Sequence, residues 1–309
     1  MEKIKTPAPG AVTSLSAQGG LMLAVETRGP SDAPPVLFAH GFGQSRKMWA
    51  RTAAAIARQG WRTVAFDARG HGDSGRVADG AYHLEQFVGD LLTVTGSLGT
   101  PPVMVGHSMG GLLAMVAAGE VRPDPFRALV LVDITPRWEA SGVERILDFM
   151  RAHLDGFESL EAAAEQVAAY APQRPRRRTV DELAQLLQRG DDGRWRWQWD
   201  PALLDSIAAE SERHQQRLVE AARNIDVPVL LVSGGRSDVV SDRTVTEFLR
   251  NVPAAEHIEV PDATHAVAGD DNNAFTAAIA SFLKSLDSAP SRKDGSHRDA
   301  RQTAAGAKP

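Results

Sequence analysis

The chain has 309 residues, 43% of them hydrophobic and 24% charged, and a net charge of -5 at pH 7. That balance suits one soluble α/β domain with an inserted subdomain and argues against a dedicated nucleic-acid surface. Cysteine is absent, which excludes disulfides, a thiolate nucleophile and cysteine-bound metal.

Residues 1–10 contain lysine and proline without an apolar run of signal-peptide length, and no stretch is apolar enough to span a bilayer. The expectation is a cytoplasmic protein with a flexible N-terminus. Residues 11–18 and 21–27 suit two strands turning at Gly19-Gly20. Val36-Leu37-Phe38-Ala39 then reads as a short buried strand ending in the loop His40-Gly41-Phe42-Gly43. Helical spacing over 49–59 is followed by an apolar strand at 62–66 and a run of turn formers at 67–75. Over 84–98, apolar side chains recur three and four apart, as in a helix packed on a sheet.

A strand at 103–105 leads into Gly106-His107-Ser108-Met109-Gly110, and 112–121 is rich in leucine, alanine and methionine. Strand, sharp turn and helix is the context in which a G-x-S-x-G serine becomes a nucleophile. The glycines permit the turn that holds the Ser108 hydroxyl outward. The first N–H groups of the helix have no intrahelical acceptor, so that of Met109 can face an oxyanion formed by attack of Ser108.

Apolar strands at 128–132, 227–232 and 256–260 end at Asp133, at Gly234-Gly235-Arg236-Ser237-Asp238 and at Pro261-Asp262-Ala263-Thr264-His265, before a last helix at 272–286. The alternation predicts an α/β fold, a mostly parallel central sheet with helices on both faces, built from 11–135 and 224–286. Ligands bind outside the carboxyl ends of such strands. Ser108, Asp133, Asp238, His265 and the loop 40–43 all follow strand ends.

Residues 136–223 break this rhythm. Helices predicted at 143–154, 159–170, 180–189 and 201–223 make an inserted helical cap. Arg174-Pro175-Arg176-Arg177-Arg178 reads as a solvated loop in preference to an anion site. Trp195, Trp197 and Trp199 alternate, so in an extended chain all three indoles face one way, either lining an apolar substrate pocket or anchoring the cap. Residues 287–309 hold hardly any large apolar side chain and are expected to be a disordered tail.

Together these segments resemble the α/β-hydrolases. His40-Gly41-Phe42-Gly43 is similar to that family's HG-x-G oxyanion loop, 67–75 to its D-x-R-G-x-G-x-S loop, and 106–110 to its nucleophile elbow. Residues 235–238 are similar to its G-x-x-D acid loop, and the segment around His265 to its terminal histidine loop. The resemblance implies Ser108 as nucleophile, His265 as base and Asp238 as the acid, with Asp133 the alternative, since some members keep the acid after the earlier strand. It also implies an oxyanion hole of the Phe42 and Met109 N–H groups, while His40, Arg69, His71 and Asp73 brace loops.

The implied activity is hydrolysis of small to medium, apolar carboxylic esters or lactones through an acyl-enzyme. No cofactor or metal is implied, and the partner is a small-molecule substrate, neither nucleic acid nor membrane; the oligomeric state stays open. Competing readings on the same residues are perhydrolysis of the non-haem haloperoxidase kind, carbon–carbon bond hydrolysis, and a small-molecule receptor retaining the triad. Epoxide hydrolases and haloalkane dehalogenases share the fold but carry aspartate where this chain has Ser108.

Overall fold

The computed structural model describes residues 10–121, 123–206, 214–270 and 272–288. The expected flexible N-terminus and disordered tail therefore lie outside the described residues, apart from Gly10 and 287–288.

The strands are β1 (Ala11–Ser16), β2 (Met22–Arg28), β3 (Pro35–Ala39), β4 (Arg62–Phe66), β5 (Val103–His107), β6 (Ala128–Val132), β7 (Leu187–Arg189), β8 (Trp195–Trp197), β9 (Val229–Gly234) and β10 (Glu256–Val260). The helices are α1 (Ala50–Ala57), α2 (Leu84–Gly96), α3 (Met109–Glu120), α4 (Ala140–Ala152), α5 (Leu160–Tyr170), α6 (Val180–Ala184), α7 (Gln215–Arg223), α8 (Asp242–Asn251), α9 (Val267–Asp270) and α10 (Asn272–Ser288). An 8-stranded sheet has the order β1-β2-β4-β3-β5-β6-β9-β10. It is parallel from β4 to β10, while β1 and β2 pair antiparallel with each other and β2 antiparallel with β4.

Every residue of β3, β5, β6 and β9 is buried, which is why their sequences run apolar without polar alternation. Leu37, Met104, Leu129 and Leu231 face one side with α2, α3, α7 and α8. Val36, Val103, Val130 and Leu230 face the other with α1 and α10. The outer strands are half polar, with Thr13, Ser14 and Ser16 on β1 and Glu256 and Glu259 on β10.

Between β6 and β9, α4, α5 and α6 and the antiparallel hairpin β7-β8 surround a small core of Phe157, Ala163, Val167, Leu183 and Leu187. The helix expected over 180–189 stops at Ala184, and Leu187–Arg189 becomes a strand. The cause is hairpin pairing: Leu187 and Arg189 pair with Trp197 and Trp195, and a turn through Gly193 at φ 80° closes the hairpin. Of the helix expected over 201–223, Gln215–Arg223 is present, while 207–213 lie outside the described residues. No helix among the described residues is long and apolar enough to cross a membrane.

Helix α3 lies against α7 with Gly119 at the crossing, where a Cβ would collide with the Ala221 backbone carbonyl. Gly119→Ala raises helix propensity by about 1 kcal/mol yet forces two backbones apart. The expected net result is a loss of about 1–3 kcal/mol, typical of overpacking, read as a lower urea midpoint at unchanged slope.

Candidate active site

Ser108 follows β5 with φ 48° and ψ -117°, a conformation that costs a non-glycine residue of order 1–3 kcal/mol and that the surroundings must enforce. The enforcement is close packing. A Cβ on Gly106 would lie 2.5 Å from the Gly110 carbonyl oxygen, and one on Gly110 would strike the Ala39 carbonyl. The Ser108 N–H donates to the Val132 carbonyl at 3.1 Å, and its own carbonyl accepts from Gly111 at 2.9 Å and Leu112 at 3.0 Å. Because those bonds form immediately after the serine, α3 begins at Met109, earlier than the composition of 112–121 indicates.

The loop after β3 lies against this elbow: a Cβ on Gly41 would come within 2.7 Å of His107 Nδ1 and 3.1 Å of Ser108 Cβ. The Gly41 N–H donates to Gln44 Oε1 at 3.0 Å and the Gly43 N–H to His71 Nε2 at 3.2 Å. Between them the Phe42 N–H, like that of Met109, has no acceptor among the described residues. Uncommitted amides next to a strained serine are the requirement for holding an oxyanion.

His265 lies on the loop after β10, and its Nδ1 donates to Asp133 Oδ2 at 2.7 Å. Asp133 is fully buried and also accepts from the Gly234 N–H at 2.8 Å and from the Ser237 hydroxyl. The expectation that Asp238 orients His265 is therefore corrected. Asp238 accepts from Arg145 Nε at 2.9 Å and turns toward α4, whose Gly142 packs on its backbone. Register explains the outcome. His107 pairs with Val132 across β5 and β6, so Ser108 and Asp133 occupy equivalent positions immediately past adjacent strands, both at φ 48°; Asp238 stands farther out, in the loop after β9 that packs on α4.

Several further residues hold this arrangement, among them the loop-bracing His40, Arg69 and Asp73. His107 Nε2 donates to the His265 carbonyl at 2.8 Å, and its Nδ1 is 3.0 Å from Gln44 Oε1. Thr264 donates its N–H to Asp270 Oδ2 at 2.8 Å, and Arg174 donates to the other oxygen of Asp270 at 2.8 Å. His40 donates to the Gly41 carbonyl and accepts from Ala68, while Arg69 forms two 2.7 Å bonds to buried Asp90. Asp67 pairs with Arg46, which also holds Asp73 at 2.8 Å. These groups are committed to structure. Burial pulls the pKa of His40 down. It takes His71 to about 3 with help from the neighbouring His40, and His107 to about 3 with help from His265.

Two cavities meet at Ser108 and His265. The first is apolar, walled by Leu112, Leu113, Ile134, Trp138, Val143 and Leu147. The second carries Arg145, Arg174, Arg178, Asp238 and Tyr170, with Trp197 and Phe149. The arginine run is thus not simply a solvated loop: Arg176 and Arg177 are exposed, but Arg174 and Arg178 reach this cavity. The tryptophans also divide. Trp197 lines the second cavity, Trp199 packs 5.2 Å from Phe42, and Trp195 belongs to the small core around Phe157. Among the described residues no group of three or more histidine or carboxylate side chains is arranged to hold a metal ion.

Residues 34–271 match the family described as the alpha/beta hydrolase fold. The sn-1-specific diacylglycerol lipase of Mus musculus is 32% identical over 276 residues, covering 82% of this chain and 82% of that protein. The 3-hydroxybutyrate-oligomer hydrolase of Cupriavidus necator is 31% identical over 279 residues, covering 84% and 92%. The crystal structure of E-2-(acetamidomethylene)succinate hydrolase superposes with a TM-score of 0.74 at 26% identity, over 89% of this chain and 100% of that one.

The buried histidines set a pH dependence of stability. His71 and His107 are neutral in the folded chain down to about pH 3 but titrate near 6.5 when unfolded. Below 6.5 the unfolded state binds more protons, so their contribution is complete above 6.5 and lost on acidification, by up to about 1.4 kcal/mol per pH unit per ring. Between pH 6.5 and 5, above the range where most carboxylates protonate, the urea midpoint is expected to fall. A flat or rising midpoint over that window contradicts neutral buried rings.

Proposed function

This chain belongs to the α/β-hydrolase fold family and is an ester-cleaving hydrolase, and from that premise we propose that Ser108, His265 and Asp133 cleave small to medium carboxylic esters or lactones through an acyl-enzyme. The observation that carries the assignment is the 2.7 Å bond from His265 Nδ1 to Asp133, beside a serine in a strained elbow. A carboxylate only accepts, so the proton sits on Nδ1 and the lone pair of Nε2 is available as base.

Ser108 Oγ attacks the ester carbonyl carbon as His265 Nε2 takes its proton, and the oxyanion is held by the Phe42 and Met109 N–H groups. The tetrahedral intermediate collapses with cleavage of the carbon–oxygen bond, and the imidazolium gives its proton to the leaving alcohol. Water, deprotonated by the same nitrogen, then attacks the acyl-enzyme; the acid departs and the proton returns to Ser108. Throughout, Asp133 stabilises the imidazolium without itself taking the proton. The apolar cavity beside Leu112 and Ile134 supports an apolar group on one side of the scissile bond.

Esterase assays of variants test the assignment. Ser108→Ala and Asp133→Asn are each expected to lower kcat by about 10³-fold or more. Asp238→Asn, which loosens an ion pair with Arg145, is expected to cost less than about tenfold. Collapse of kcat in Asp238→Asn with activity retained in Asp133→Asn would move the acid to Asp238 and overturn the assignment.

A further inference from the structure

The second cavity differs from the first in its charge. Of its guanidiniums, Arg145 is matched by Asp238, and it stacks over the Tyr170 ring with the guanidinium carbon 4.9 Å from the centroid. Arg174 is matched by buried Asp270. Arg178 forms no hydrogen bond or ion pair with any other described residue, whereas its neighbour Arg176 is paired with Glu182. Arg145, Arg174, Arg176 and Arg178 against Asp238, Asp270 and Glu182 leave one excess positive charge beside a cavity that contains Ser108 and His265; Glu182 and Asp270 attract Arg178 through space without bonding to it.

That charge is set close to a second one. A Cβ on Gly269 would lie 3.5 Å from Arg174 Nη2 and 3.8 Å from Arg178 Nη2, so the two guanidiniums share the wall made by α9. Desolvation, then repulsion from Arg174, pulls the Arg178 pKa down to about 10. A partly buried cation next to a like charge is costly, and a bound anion relieves both penalties. A planar carboxylate fits a guanidinium fork, and its single charge equals the excess.

We propose that Arg178, with Arg174 alongside, binds a carboxylate carried by the substrate, so that the preferred substrate is a monoanionic ester. Its apolar portion occupies the Leu112 cavity and its carboxylate-bearing portion the arginine cavity, on opposite sides of the scissile bond. The inference rests on the reading of Ser108 as hydrolytic nucleophile. The recognising chemistry is the same whether the carboxylate belongs to the acyl or the alcohol portion, and the probes separate the two.

The acyl-side pair is mono-p-nitrophenyl glutarate and p-nitrophenyl pentanoate; the alcohol-side pair is 4-butanoyloxybenzoate and 4-acetylphenyl butanoate. The quantity read is the anionic-to-neutral ratio of kcat/KM at low ionic strength. In at least one pair, Arg178→Met is expected to lower that ratio by about tenfold or more, the loss of a charge-assisted hydrogen bond. Arg178→Lys should restore part of it, and Arg177→Met, at an exposed neighbour, should keep the wild-type ratio. Ratios unchanged by Arg178→Met in both pairs overturn the inference.

If wild type turns over none of these esters, the hydrolase reading fails and calorimetry decides this one separately. Monomethyl glutarate should then bind the Ser108→Ala protein more tightly than dimethyl glutarate does, with the difference abolished by adding Arg178→Met. Equal binding of the two, or a difference that survives Arg178→Met, overturns the inference.

Discussion

The carboxylate of Asp133 is the point on which the site is built. It is fully out of water and carries three donors: His265 Nδ1, the Gly234 amide and the Ser237 hydroxyl. A buried charge is tolerated only when so surrounded, and these donors come from the end of β9, from the loop after it and from the loop after β10. Burial of the charge and convergence of the loops are thus one requirement. The left-handed backbone at Asp133 and at Ser108 places both side chains above the same sheet edge, and the Ser108 amide itself bonds to the strand that carries Asp133.

From that point the constraint passes outward into the segment between β6 and β9. The loop bearing His265 is held by His107 at its carbonyl and by Asp270 at the Thr264 amide. Asp270 in turn takes Arg174 from the segment between β6 and β9. Helix α4 lies against the loop after β3, where Met150 occupies the space a side chain at Gly43 would need, and pairs its Arg145 with Asp238. The space beside Ser108 holds an apolar chamber and a charged one.

The inner sheet was readable from the sequence because its strands are buried on both faces: 62–66 and 128–132 appear with the bounds their apolar runs suggest, and the edge strand 256–260 also appears with its expected bounds. That Ser108 and His265 share one site was readable as well, since parallel topology brings strand ends to one edge. The partner of His265 was not, because Asp133 and Asp238 both follow strands and only cross-strand register, His107 opposite Val132, favours the former. The strand at Leu187–Arg189 and the inward turn of Arg174 and Arg178 escaped for a related reason. Each depends on a partner outside its own segment, the facing hairpin arm Trp195–Trp197 for the strand and Asp270 for Arg174, and the composition of the segment itself carries no record of such partners.

The central claim is that Ser108 is the nucleophile of an acyl-transfer site, and the most direct measurement is peptide-resolved mass spectrometry of the protein after reaction with a fluorophosphonate. The account predicts one adduct per chain, on the peptide containing Ser108, and none in protein carrying Asp133→Asn treated for the same short time. No adduct, or an adduct on another serine such as Ser206 in the apolar cavity wall, would contradict it.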